Sequence, residues 1–251
     1  MKKNDLEFYD LNANNWWEED SKIYALYHLN KPRFDFFDRH VPNWQGLKAL
    51  DVGCGGGFSC EFMADRGVEV SGIDRSAKCI EKAQEHAVKR GIKIDYKYGL
   101  AEEMPYENNT FDVVVCVDVL EHIADLNKVI SEIHRILKPN GLFFFDTINR
   151  NFKSKFVMIW LMENILREIK QGVHDWRKFI KPEELTDLMK ERGFTDIDIK
   201  GFDMFGEALK LNWASYKEFK STGVVKVKIN DDTSVMYIGK AVKQCFLSAE
   251  C

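Results

Sequence analysis

From residue 47 onward the apolar positions alternate between short β-rich runs and stretches with a helical period, the pattern of a parallel sheet covered by helices. Residues 47–52 predict a first strand, a helix follows Gly57 through Arg66 and ends at Gly67, and 68–74 predict a second strand. Ser76 stands as N-cap of a helix to residue 90, with Ile80, Ala83 and Ala87 inward and Gly91 closing it. Residues 94–98 predict a third strand, and 112–118, nearly all apolar, a fourth buried on both faces. Ile123, Leu126, Ile130, Ile133 and Leu137 are spaced 3, 4, 3 and 4, the seam of a helix lying on a sheet. Pro139-Asn140-Gly141 breaks that helix, and residues 142–148 return as a fifth strand. Beyond it the pattern predicts helices over 154–169 and 182–192, the second ended by Gly193, and strands over 195–202 and near 235–242.

Residues 1–46 fall outside the alternation and carry Trp16, Trp17, Phe34, Phe36, Phe37 and Trp44. They predict a helical cap laid over the sheet's ligand edge. A main domain over 47–243 follows, with a lid insertion at about 150–182 and a tail over 244–251. The expected architecture is α/β: a mostly parallel, seven-stranded sheet with helices on both faces.

Composition narrows the function classes. A chain of 251 residues suits one large domain, and 45% hydrophobic content excludes a disordered one. Thirty-six basic residues against 40 acidic ones argue against a general nucleic-acid binder. The longest uncharged apolar run, residues 156–162, is far below the ~20 residues that span a bilayer. The start has no apolar targeting region, and the six cysteines form no CxxC pair, so the expectation is reduced thiols in a cytoplasmic protein.

Candidate chemistry begins at Leu50-Asp51-Val52-Gly53-Cys54-Gly55-Gly56-Gly57, which joins a buried strand to a helix. Glycine lets the backbone approach a ligand, although a tight turn with no ligand has the same form. The dinucleotide fingerprint needs glycine at position 58, where this chain has Phe58, and a GK[ST] phosphate loop is missing. An acidic loop poor in phosphate contacts suits a nucleoside with a cationic group. Asp74, at the end of the second strand, is placed to hydrogen-bond a ribose; the alternative is a cap for the following helix. Leu100-Ala101-Glu102-Glu103-Met104-Pro105, past the third strand, is placed for an adenine.

These segments, with Ser71-Gly72-Ile73-Asp74 and Phe111-Asp112-Val113-Val114, resemble the motifs of class I S-adenosylmethionine-dependent methyltransferases, a Rossmann-like fold. Further segments narrow the resemblance. They are Trp16-Trp17, Leu29-Asn30-Lys31-Pro32-Arg33, Val119-Leu120-Glu121-His122, Ile148-Asn149-Arg150-Asn151 and the run from Gly172 to Pro182. With them, residues 8–240 resemble the 3-demethylubiquinone 3-O-methyltransferase family, which methylates polyprenylated catechol-type precursors in ubiquinone biosynthesis. The resemblance implies S-adenosylmethionine held by Asp51, Gly53, Gly55, Asp74, Ala101, Glu102 and the backbone near Val117. It also implies that Arg33 reaches the methionyl carboxylate. Val117 stands where the family often has methionine, and Gly99-Leu100 where the wider class has an aspartate.

Asp118, Glu121 and His122 share a face if their turn is helical, and such a set suits Mg²⁺ or another divalent ion. The related family pattern is Glu-x-x-Glu-His, so Asp118 is one methylene shorter; metal-free methyltransferases also carry a Glu-His pair here. His122 and His174 are the candidate catalytic bases, while His174 can equally cap or pack its loop. The implied reaction is in-line transfer of a sulfonium methyl to a phenol or catechol oxygen. Rival readings are N- or C-methylation of another small molecule, a binding-only protein, and a nicotinamide oxidoreductase, against which Phe58 counts. Residues 153–170 hold an apolar block with basic residues at both ends. They predict either a helix covering the sheet or weak peripheral contact with the inner membrane face.

Overall fold

The computed structural model describes residues 6–204 and 226–245. Its strands are β1 (Lys48–Val52), β2 (Glu69–Asp74), β3 (Asp95–Tyr98), β4 (Phe111–Cys116), β5 (Leu137–Ile148), β6 (Phe194–Asp203), β7 (Lys228–Asn230) and β8 (Met236–Lys243). They form one sheet in the order β3-β2-β1-β4-β5-β8-β6-β7. The first five are parallel; β8 runs antiparallel between β5 and β6, and β7 pairs antiparallel with β6. The sheet therefore has eight strands where the sequence predicts seven. The extra one, β7, spans three residues with no fully buried member, too short for an alternation to register.

Helices α1 (Glu7–Asn12), α2 (Tyr27–Phe37), α3 (Phe58–Ala64), α4 (Ala77–Arg90), α5 (Leu126–Ile136), the single turn α6 (Phe152–Ser154) and α7 (Pro182–Glu191) complete the framework. Ser76 caps α4 by accepting from the Cys79 N–H at 3.1 Å, and Gly91 ends it at φ +69°. One apolar cluster joins α2, α3 and α4 to one face of the sheet; a second packs α5 and α7 on the other. Within residues 6–46, α2 enters the first cluster through Phe34 and Phe37, and Phe37 stacks on Phe144 of β5 at 4.4 Å.

The segment predicted as a helix over 154–169 departs from that expectation. Residues Lys155–Ile165 form a π-helix, and the Leu166 N–H reaches back five residues to the Leu161 carbonyl at 2.8 Å. The wider turn buries Met158 and, five positions on, Glu163. An α-helical period cannot anticipate that spacing. Cys54, Cys60, Cys79 and Cys116 are buried free thiols, whereas Cys245 is disulfide-bonded, a pairing that the lack of CxxC spacing did not foretell. Of the expected tail, residues 246–251 lie outside the described residues.

Candidate functional site

The glycine loop leaves the carboxyl end of β1 in conformations that glycine alone adopts easily. Gly53 has φ +74°, and a Cβ there would fall 2.3 Å from Val119 Cγ2. Gly55 has φ +51°, and its Cβ would meet the Trp16 ring at 2.3 Å. The loop is fastened to β2: the Gly53 N–H donates to the Ile73 carbonyl at 2.8 Å, and the Gly55 N–H to Asp74 Oδ2 at 2.9 Å. Asp74 also accepts from the Ser76 N–H at 2.7 Å. Burial raises the Asp74 carboxyl, against these two backbone donors. Because Ser76 is the helix cap, Asp74 is left to organise the loop and face the space above it.

That space is a cavity of about 800 Å³ at the carboxyl ends of β1, β2 and β4, the ligand edge of an open α/β sheet. Arg33, Asp51, Gly53, Gly55, Asp74, Ala101, Glu102 and Val117, the residues expected on the cofactor, all line it. Tyr9 and Trp16, which motif reading did not assign to the cofactor, close it from the N-terminal segment. Trp16 is 6% exposed, and its indole Nε1 has no hydrogen-bond partner among the described residues. A buried orphan donor in a cavity of this size fits a ligand that brings an acceptor. The α1 end of the segment is latched over α4, where the Ser76 hydroxyl donates to Asp10.

Arg33 lies at the cavity floor and is 2% exposed. Its Nε donates to Asp146 at 2.5 Å and its Nη2 to Asp118 at 2.5 Å. Burial alone would lower the guanidinium's affinity for its proton, but Asp118 and Asp146 hold it above the ordinary range. Asp146, near the carboxyl end of β5, also accepts the Asp118 N–H at 2.8 Å and so supports Asp118 at φ +56°. Burial pushes the Asp146 carboxyl up, and Arg33 opposes the rise. Asp51 is pushed up to about 7 by burial, against a Cys60 thiol that donates at 3.4 Å.

The expected set of Asp118, Glu121 and His122 is regrouped. Glu121, His122 and His174 each bring a donor atom within 4.8 Å of the others, while Asp118 is engaged by Arg33. Glu121 is buried and accepts from Thr147 Oγ1 at 2.8 Å; burial, then the charge of Asp118, pushes it up to about 8. Burial, then the neighbouring His174, holds His122 well below the usual histidine range. The two imidazoles stack at 5.4 Å between centroids. His122 lines the large cavity, whereas His174 lines a second one of about 350 Å³. Glu163, which sequence reasoning passed over, lies 2.8 Å from His174 Nδ1.

A methyltransferase-domain family model matches residues 50–145. The chain is 36% identical over 238 residues to the ubiquinone biosynthesis O-methyltransferase of Hahella chejuensis, covering 94% of this chain and 92% of that one. It is 40% identical over 185 residues to the enzyme of the same name from Chromobacterium violaceum, covering 72% and 78%. Among solved structures, a possible histamine N-methyltransferase from Thermotoga maritima superposes with a TM-score of 0.64 at 18% identity, covering 95% of this chain and 99% of that one. A phosphoethanolamine N-methyltransferase from Haemonchus contortus, complexed with S-adenosylhomocysteine, gives 0.65 at 20% identity, covering 95% and 60%. At such identities the structures establish the fold.

The shift at Asp51 has a measurable consequence. Its folded-state value of about 7 lies above the ordinary 3.8, so its contribution to stability is full below the ordinary value. That contribution is lost as pH rises through about 7. Urea unfolding of the cofactor-free protein at pH 5.5 and 7.5 should therefore show a decline that Asp51→Asn reduces by roughly 1–2 kcal/mol. Equal declines in both proteins would show that Asp51 is ionised in the folded state.

Proposed function

Because the chain belongs to the ubiquinone biosynthesis O-methyltransferase family, we propose that it methylates a phenolic hydroxyl of a polyprenylated catechol-type quinone precursor. It is an S-adenosylmethionine-dependent methyltransferase. The observation that carries the substrate reading is the junction of the cofactor cavity with the Glu121-His122-His174 group, which joins a nucleoside-sized site to groups able to handle a phenolic proton.

In this reading Asp74 takes the ribose hydroxyls, and Ala101 and Glu102 flank the adenine. Arg33, with Nε and Nη2 committed, offers Nη1 to the methionyl carboxylate. The backbone at Val117 lies beside the cofactor. The bound cofactor supplies an electrophilic methyl group on sulfur. The acceptor oxygen forms the new C–O bond as the S–C bond breaks, and the phenolic proton leaves, giving S-adenosylhomocysteine and a methyl ether. The chain's task is to hold oxygen, methyl and sulfur in line and to receive that proton. His122, held neutral by burial, and His174 are the groups for it.

One carboxylate and two imidazoles fit a borderline divalent cation better than Mg²⁺, which prefers oxygen ligands, and a cation would relieve the buried Glu121 carboxylate. Such an ion would supply Lewis-acid polarisation of the acceptor oxygen. Residues 1–46 and about 150–182 act as cap and lid on the domain over 47–243. No helix among the described residues is long and apolar enough to cross a membrane. Phe152, Phe156, Trp160 and Ile165 are nonetheless exposed on the segment that carries the π-helix. A polyprenylated acceptor lies in lipid, so this face supports weak, reversible contact of a cytoplasmic enzyme with the inner membrane.

Incubation with S-adenosylmethionine and a panel of catechols, phenols and amines should give a 14 Da gain on catechols. Glu121→Ala or EDTA treatment should lower turnover by about 10-fold or more while cofactor affinity holds. Methylation of amines alone would overturn the substrate reading, and full activity after EDTA would remove the metal. Flotation with phosphatidylglycerol vesicles at low salt should carry part of the wild type and less of Trp160→Ser. Two wholly soluble proteins would remove the membrane contact.

A further inference from the structure

The apolar segment that lies at the surface also carries a buried carboxylate. Glu163 is the sole acid in the π-helix Lys155–Ile165 and is 2% exposed. Its Oε1 accepts the His174 main-chain N–H at 3.0 Å and faces His174 Nδ1 at 2.8 Å, while Oε2 accepts the Gly172 N–H at 2.9 Å. A carboxylate only accepts, so the proton between it and the ring belongs to Nδ1. The lone pair is then on Nε2, the remaining nitrogen of the ring. Burying three N–H donors on one carboxylate fixes the loop at residues 172–174 as well as the imidazole. The ring is further held by stacking on His122 and by an edge contact with Phe179 at 5.8 Å.

We propose that Glu163 is the positioning residue of this site: it sets the tautomer and place of His174 and links both to the apolar surface segment. Whether Nε2 receives a phenolic proton or holds a cation, it must be free of its own proton, and Glu163 provides that condition. Exposed Phe156 and Trp160 stand on the same helix, so a displacement of that helix against lipid or acceptor moves the imidazole as well. The use of His174 in methyl transfer rests on the function proposed above, while its tautomer does not.

Nitrogen-15 spectra of the full chain labelled at histidine separate the two, with the His174 signals identified by their loss in His174→Gln. The wild type should carry its proton on Nδ1 with a bare Nε2. Glu163→Gln, which keeps an acceptor for Nδ1, should retain this state. Glu163→Leu should move the proton toward Nε2 and lower kcat by about 10–100-fold, with S-adenosylhomocysteine affinity changed by less than about 2-fold. A wild-type proton on Nε2, or an unchanged tautomer in folded Glu163→Leu, overturns the proposal. If Glu163→Leu does not fold, the wild-type and Glu163→Gln spectra decide. The expected tautomers in a protein inert toward catechols support the positioning role and remove the substrate reading instead.

Discussion

Arg33, buried between Asp118 and Asp146, is the contact on which the site depends. It joins α2 of the N-terminal segment to Asp118, two residues past β4, and to Asp146 near the carboxyl end of β5. A guanidinium taken out of water costs several kcal/mol, which two close carboxylates and good hydrogen-bond geometry offset. The arrangement leaves little freedom: α2 must lie where its arginine meets both acids, and Asp118 must take the left-handed conformation that its partners hold. The stack of Phe37 on Phe144 supplies the apolar part of the same junction.

From that junction the rest of the cavity follows. With α2 fixed, Trp16 lies over the glycine loop at Gly55 and Gly56, and Asn30 accepts from the Ser59 hydroxyl at 2.8 Å. The loop is held from below by Asp74 and Ile73 and from above by the indole, so neither wall is built by the sheet alone. The contact between Ser76 and Asp10 fastens α1 to the start of α4. On the far side, the loop carrying His174 is tied to the π-helix through Glu163. The two cavities are thus each bordered by a segment outside the central β-α alternation.

Much of this was legible in sequence because it depends on local pattern. The parallel strands, the glycine loop and the caps at Ser76 and Gly91 rest on short-range signals, whereas the residues that line the cavity, Arg33 among them, were expected from the family resemblance. What escaped depends on contacts distant along the chain. The partner of Asp118 is 85 positions away, and no spacing rule pairs it with Arg33 rather than with Glu121. Asp146 did leave a trace, as an acid set among Phe143, Phe144, Phe145 and Ile148 where burial demands a partner. Glu163 left a similar one, a single acid ending the apolar run of residues 156–162, but only the π register turns it inward. The short β7 and the disulfide at Cys245 carried no local signal of their own.

Equilibrium urea unfolding of Arg33→Met with and without Asp146→Asn, at pH 8, tests the role of the buried arginine most directly. Removing the cation alone strands the buried Asp146 and the half-buried Asp118 and should cost about 3–5 kcal/mol. Adding Asp146→Asn, which keeps an acceptor for the Asp118 N–H but removes one charge, should recover part of that loss. A loss below about 1 kcal/mol in Arg33→Met, or a double variant whose losses simply add, would contradict the claim that this ion pair anchors the N-terminal segment and builds the cavity.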